Sequence, residues 1–375
     1  MKSVSTGELE EGAVCSSLVY DSGGRHLVKK GAVINSAVKN KLIDSGINRI
    51  YIEDDVFCSS SPFSPETCAD ALNVIAAFYN SDGRDSGLLK KYGDEDIKKI
   101  ASYSGETASK IGFAHLFLYY SSEFVSQAVK NRETPYDIRD FRNKSNYYSY
   151  HPLGAACLSI LIGREMGLNE RELCELGAGA MLFDCKMKLY PFSGEDRKLS
   201  QQEMMELAMH TSAGYDFLKN IYGLPAKSAL IASQHHERYD GSGYPKGVKK
   251  ESINVLSGIA AAADVYDALV SDRPFRPAYS VREAKDYILE NSGVLFDPAV
   301  CDAFEKCAVR YLPGTFVKTD AGCEAVVIRN NSHSPDNPVI KLIEKKAGSD
   351  IILGTETDTA AEKSPKIIQI SERGI

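Results

Sequence analysis

A chain of 375 residues, 43% hydrophobic and 25% charged, exceeds the usual size of one compact domain, so one main domain with smaller appendages is expected. Forty-four Lys plus Arg against 51 Asp plus Glu leave a formal net charge of −7, which excludes general affinity for a nucleic-acid polymer and requires a local basic pocket for any phosphate ligand. With no signal-like apolar start, no run near the ~20 apolar residues of a membrane span, and nine Cys that form no C-x-x-C pair, the chain reads as cytoplasmic, without a membrane partner, with reduced core thiols.

Residues 1–60 mix short apolar runs around Ala13–Tyr20, a Ser22-Gly23-Gly24 turn, a helical stretch near Ala37–Ser45 and a strand at Ile47–Ile52, which predicts a small α/β module. After the linker Ser59-Ser60-Ser61-Pro62, Ser64-Pro65-Glu66 starts a helix with an N-cap and a Pro in the first turn. The stretch 64–146 then reads as a helical connector, interrupted near Ser81–Gly87 and closing in a charged, irregular segment from Asn131 to Asn146.

From 147 to 312 helix starts are dense. Asn169 with Glu172, Ser200 with Glu203, Ser280 with Glu283, and Asp297-Pro298 each have the spacing of a cap. An all-helical domain is predicted there. From 313 to 375 the texture changes to β-rich runs at Thr315–Lys318, Glu324–Ile328, Val339–Ile343, Asp350–Leu353 and Lys366–Ile370, a small β-rich segment expected to pack on the helical domain. The fold class is therefore mainly α, with a small α/β start and a small β end.

Of seven His, four fall in the helical region: His151, His210, His235 and His236, among Asp184 and Asp264. Adjacent residues on a helix point about 100° apart, so His235 and His236 can serve one site only where that site wraps around a helix end. The following Asp240-Gly241-Ser242-Gly243-Tyr244-Pro245 predicts a tight turn in which the glycines supply positive φ and Pro fixes the exit. His26, His115 and His333 have no partners in the sequence.

His235-His236-Glu237-x-x-Asp240-Gly241-x-Gly243-Tyr244-Pro245 resembles the signature of the HD-GYP family, and Ala261–Leu269 and Ser271–Arg276 are also similar to family segments. The resemblance implies a helical bundle holding two or three ions, usually iron or manganese, that hydrolyses cyclic di-GMP; some relatives act on cyclic GMP-AMP. By the same resemblance His151, Asp184, His210, His235, His236 and Asp264 are metal ligands, with Asp184 bridging. Imidazole and carboxylate donors suit Fe, Mn or Zn better than Ca or Mg.

Three positions depart from the pattern. Where typical members read Leu-His-Asp-Ile-Gly-Lys, this chain has Leu182-Phe183-Asp184-Cys185-Lys186-Met187, and Tyr147 stands where members with a third ion carry Glu. One ion site, made of Asp184, His210, His235 and His236, should be well formed. A second, left with His151, Asp184 and Asp264, should be weak, and a third needs Tyr147, Asp140 or Cys185 to substitute.

Tyr244 is expected to face the ligand, and Arg273 and Arg276 to supply positive charge to a phosphate. With Asp184 they complete the expected catalytic set. Lys186 and Lys188 read as solvated. The expected partner is a cyclic dinucleotide, with signalling partner domains and a homodimer left open. The competing reading is a bacterial signalling module that binds nucleotide or partner without turnover; a phosphohydrolase for another nucleotide fits the Gly-Tyr-Pro signature poorly.

Overall fold

The computed structural model describes residues 2–81 except 17–18, 22–25, 48, 55 and 57–60; residues 92, 95, 97–98 and 100; and residues 112–136, 147–271 except 196, 278–347 and 350–371. Among these the chain is mainly α, with two two-stranded sheets near the amino terminus and one five-stranded sheet near the carboxyl terminus.

In the first part β1 (Lys2–Ser5) pairs antiparallel with β4 (Arg49–Ile52), and β2 (Val19–Tyr20) with β3 (His26–Val28). Helix α1 (Ser36–Asp44) starts where the Asn35 side chain accepts a hydrogen bond from the Val38 amide at 3.0 Å. Cys15, Val19, Ile34, Leu42 and Ile50 close a small core of their own.

The helical body begins with α2 (Pro65–Ser81) and α3 (Phe113–Lys130), followed by α4 (Tyr147–Glu165) and α5 (Glu170–Ala180). It continues through α6 (Gln201–Ala208), α7 (His210–Asp216), α8 (Ala226–Gln234), α9 (Val255–Leu269), α10 (Val281–Glu290) and α11 (Pro298–Cys307). Reciprocal caps at Asn169/Glu172, Ser200/Glu203 and Ser280/Glu283, and Asp297 ahead of Pro298, start α5, α6, α10 and α11 where the sequence spacing places them. Helix α4 is the axis. Its Ala155, Ala156, Leu158, Ile160, Leu161 and Ile162 are all fully buried, an all-round apolar surface that packs against α2, α5, α9 and α11. One hydrophobic core runs from Phe63 to Ala308, so α2 and α3 share it with the later helices.

Strands β5 (Phe316–Thr319), β6 (Glu324–Arg329), β7 (Val339–Ala347), β8 (Asp350–Asp358) and β9 (Ile367–Ile370) form an antiparallel sheet in the order β8-β7-β6-β5-β9. Charge ties it to the helices. Lys285 on α10, its side chain fully buried, donates to the Glu305 carbonyl at 2.9 Å and the Ala308 carbonyl at 2.8 Å and pairs with Asp336 from the β6–β7 connection. Arg310 links Asp286 and the same Asp336.

Among the described cysteines, Cys15, Cys157, Cys185, Cys301 and Cys307 are buried, but Cys323 is exposed in the turn before β6, so not every thiol belongs to a core. No helix among the described residues is long and apolar enough to cross a membrane.

Helices α5 and α8 approach closely at Gly179. A Cβ there would lie 2.5 Å from Ile231 Cδ1 and 2.6 Å from the Ser228 carbonyl oxygen. The backbone atom cannot step aside, so Gly179→Ala should lower the unfolding free energy by about 1–3 kcal/mol, read as a lower urea midpoint. An unchanged midpoint would overturn this packing.

Candidate metal centre

The turn after α5 carries the key carboxylate. Met181, Leu182 and Phe183 are fully buried and Asp184 is 7% exposed, so the turn delivers Asp184 into the interior. His210 opens α7, while α8 ends at Gln234, with His235 as its C-cap and His236 beyond it. Ending the helix there is what lets two adjacent imidazoles reach one point. Asp184 Oδ1 lies 3.4 Å from both His210 Nε2 and His235 Nε2, and those two nitrogens are 3.5 Å apart. Donor atoms of Asp184, His210, His235 and His236 all fall within 4.8 Å of one another.

The proton positions follow from the partners. His210 Nδ1 is 2.6 Å from the Leu207 carbonyl, and His235 Nδ1 is 3.1 Å from the carbonyls of Ile231 and Ala232. Carbonyls only accept, so each Nδ1 carries hydrogen and each Nε2 is turned to the cluster. His236 Nε2 and Asp184 Oδ1 are buried without a directed hydrogen bond. Such orphaned atoms are costly unless an ion completes them, and the donor set fits a divalent metal.

Electrostatics agree with that fit. Burial alone would raise the Asp184 carboxyl, but the His210 and His235 imidazoles hold it well below the usual carboxylate range. Burial alone would lower His210; Asp184 raises it. His236 is pushed well down, first by burial and then by the neighbouring His235 and His210, which keeps its lone pair available.

A second group adjoins the first. His151 on α4 points Nε2 at Asp264 Oδ1, 3.0 Å away, and at Asp184 Oδ2, 4.0 Å away, while its Nδ1 meets Asp267 Oδ2 at 2.5 Å. Asp184 thus presents one oxygen to His210 and His235 and the other to His151. The Phe183 ring stands between the groups, 5.6 Å from the His151 ring and 4.7 Å from the His235 ring by centroids. Burial lowers His151, but hydrogen bonds to Asp264 and Asp267 carry it up to about 9.

The loop after His236 is set by close approach. Gly241 has φ +82°, as its turn requires, whereas Gly243 is needed for space: a Cβ would lie 2.3 Å from the His236 carbonyl oxygen. Positive φ therefore accounts for one of these two glycines. Buried Glu237 accepts from the Lys246 amide at 2.8 Å and the Val248 amide at 3.1 Å, holding the loop, and Tyr244 stacks on His236 at 4.6 Å. Burial raises the Tyr244 phenol, and Asp184 and Asp264 raise it further.

Other expected positions fare differently. Lys186 is buried, its Nζ 3.5 Å over the Phe217 ring, which corrects the expectation that it is solvated, whereas Lys188 is exposed and donates to the Tyr79 carbonyl and to Asn80 Oδ1 at 3.3 Å each. Arg273, Arg276 and Asp140 lie outside the described residues, as does the side chain of Tyr147. Sequence reasoning missed Asp267 and Glu237. The spacing of three residues between Asp264 and Asp267 on one helix was an available signal; for Glu237 only its place inside the signature was.

Residues 143–300 match the model of the HD domain family. A cyclic di-GMP phosphodiesterase of Pseudomonas aeruginosa is 32% identical over 53% of this chain and 48% of its own. A cyclic di-GMP phosphodiesterase response regulator of Xanthomonas campestris pv. campestris is 39% identical over 38% of this chain and 39% of its own. A 3′3′-cGAMP-specific phosphodiesterase of Vibrio cholerae is 30% identical over 47% of this chain and 38% of its own. The chain spans less than half the length of each of these relatives.

In metal-depleted protein His151 should make stability depend on pH. Its folded pKa, raised from 6.5 to about 9, gives a contribution that is full below 6.5 and lost as pH rises through 9. The amount is on the order of 3 kcal/mol. Between about pH 7 and about pH 9.5 the urea midpoint should fall further in the parent protein than in His151→Gln; parallel falls would refute the charged His151.

Proposed function

We propose that residues 143–300, which match the HD domain family model, form a domain of the HD-GYP type and that the chain is a metal-dependent phosphodiesterase acting on a cyclic dinucleotide, cyclic di-GMP or cyclic GMP-AMP. The convergence of Asp184, His210, His235 and His236 within 4.8 Å is the observation that carries this reading. These four residues would hold a divalent ion, Fe or Mn by donor chemistry. When bound, such an ion supplies Lewis-acid charge to a phosphoryl oxygen and acidifies water.

The chain's own residues set the rest. Asp184 stays ionised and faces both groups, which suits a bridging carboxylate. His151 and Asp264 share it as a second set, but Phe183 fills the adjacent space with carbon, so a second ion has three donors and is held more weakly. Tyr244, stacked on His236, is proposed to line the nucleotide pocket, and Arg273 and Arg276 to grip phosphate with their guanidinium forks. We propose a division into 1–60, 64–146, 147–312 and 313–375, with the outer parts serving signalling partners or a homodimer; separate hydrophobic clusters support the first and last parts, whereas 64–146 shares one core with 147–312.

Phe183 also favours a second reading, a nucleotide receptor without turnover. Each ~1.4 kcal/mol of transition-state stabilisation lost with a ligand is a tenfold loss of rate. Protein reconstituted with Mn(II) or Fe(II) should hydrolyse one of the two nucleotides, Asp184→Ala should abolish this, and Phe183→His should raise the rate about tenfold or more. Binding without turnover in the parent protein, with turnover appearing in Phe183→His, would establish the receptor instead. Neither binding nor turnover would sink both.

A further inference from the structure

We propose that Asp267 is a positioning residue that turns His151 toward the second cation subsite and decides whether that subsite fills. The proposal rests on the metal-centre reading above and deepens it.

The histidines near Asp184 are not oriented alike. His210 and His235 give their Nδ1 hydrogens to carbonyls three or four residues back in their own chain segments, at 2.6 Å and 3.1 Å, so their orientation is a local product of the helix. His236 is set by stacking on Tyr244. His151 differs: its Nδ1 reaches across from α4 to the Asp267 carboxylate on α9, 116 positions away in sequence. Its aim therefore depends on a side chain that one substitution can remove.

The geometry makes that dependence matter. Asp264 and Asp267 are three residues apart and embrace the same imidazole from one face of α9, Asp267 at Nδ1 and Asp264 at Nε2. With Nδ1–H kept on Asp267, an ion placed among His151, Asp264 and Asp184 would displace the Nε2 proton and take that lone pair. A carboxylate on the far ring nitrogen also makes imidazole a better donor, and such partners are typically worth about 10–100-fold in metal affinity. A subsite with a full donor set tolerates the loss of that help. This one has Phe183 where a further donor would stand, so three donors must be well aimed. The Asp267 side chain is 1% exposed and α4 and α9 are packed together, which gives the pair a rigid frame.

Mn(II) titration of the metal-depleted full chain, followed by the electron paramagnetic resonance signal of free ion, counts bound ions without reference to activity. The parent protein should take up one ion tightly and a second weakly. Asp267→Ala should keep the tight ion and weaken the second by about 10–100-fold; Asp267→Asn, the same shape without the charge, should weaken it in the same direction and carries the test if the Ala variant does not fold. A structural role alone would weaken both ions together, or neither, and either result overturns the proposal. A parent protein holding a single ion that Asp184→Ala releases would leave the metal-centre reading standing and overturn the Asp267 assignment; one that holds no ion at all overturns both.

Discussion

Burying the Asp184 carboxylate is the constraint on which the helical body depends. A carboxylate 7% exposed in an apolar interior costs several kcal/mol unless opposite charge or hydrogen bonds repay it, and the compensation has to come from several directions. It comes from the start of α7, the end of α8 and the middle of the molecule through α4. The turn that carries Asp184 is itself held from below: the Tyr79 hydroxyl of α2 is 3.4 Å from the Met181 carbonyl, and Lys188 donates to the carbonyl of Tyr79. Helix α2 is in this way part of the floor of the site.

Phe183 shows how one residue can serve the core and alter the chemistry together. Its ring is fully buried between His151 and His235, making aromatic contact with both. Space that a fourth donor of the second group would occupy is filled by carbon that packs. Asp264 and Asp267 both hydrogen-bond His151, which explains why its imidazole is drawn up to about 9 despite burial.

What was legible in the sequence was local. Capping boxes such as Asn169/Glu172 and Ser280/Glu283 fix helix starts through bonds within one turn, and β-rich composition between turn residues marked the five runs after Pro313 that became strands. Two adjacent histidines could be placed at a helix end from angular spacing alone. Burial of Lys186, the backbone contact that requires Gly243, and the pairing of His151 with Asp267 were not legible, because each is decided by an element distant in sequence. Apolar periodicity marked α2 and α3 as helices with one buried face; it could not say that the face belongs to the same core as α4.

Stability and chemistry are therefore separable at this site, and that bears on how its substitutions should be read. Removing an imidazole from the second group costs little folding energy when an aromatic ring takes the volume, since packing in a core depends on filled space. The cost falls on the ion instead, through the number and aim of its donors. Asp184, His210, His235 and His236 keep one converging set, its three imidazoles oriented by backbone carbonyls and by stacking on Tyr244. In the other half two buried carboxylates on α9 hold the His151 imidazole, so on the proposed reading a second cation would depend on the aim of few donors.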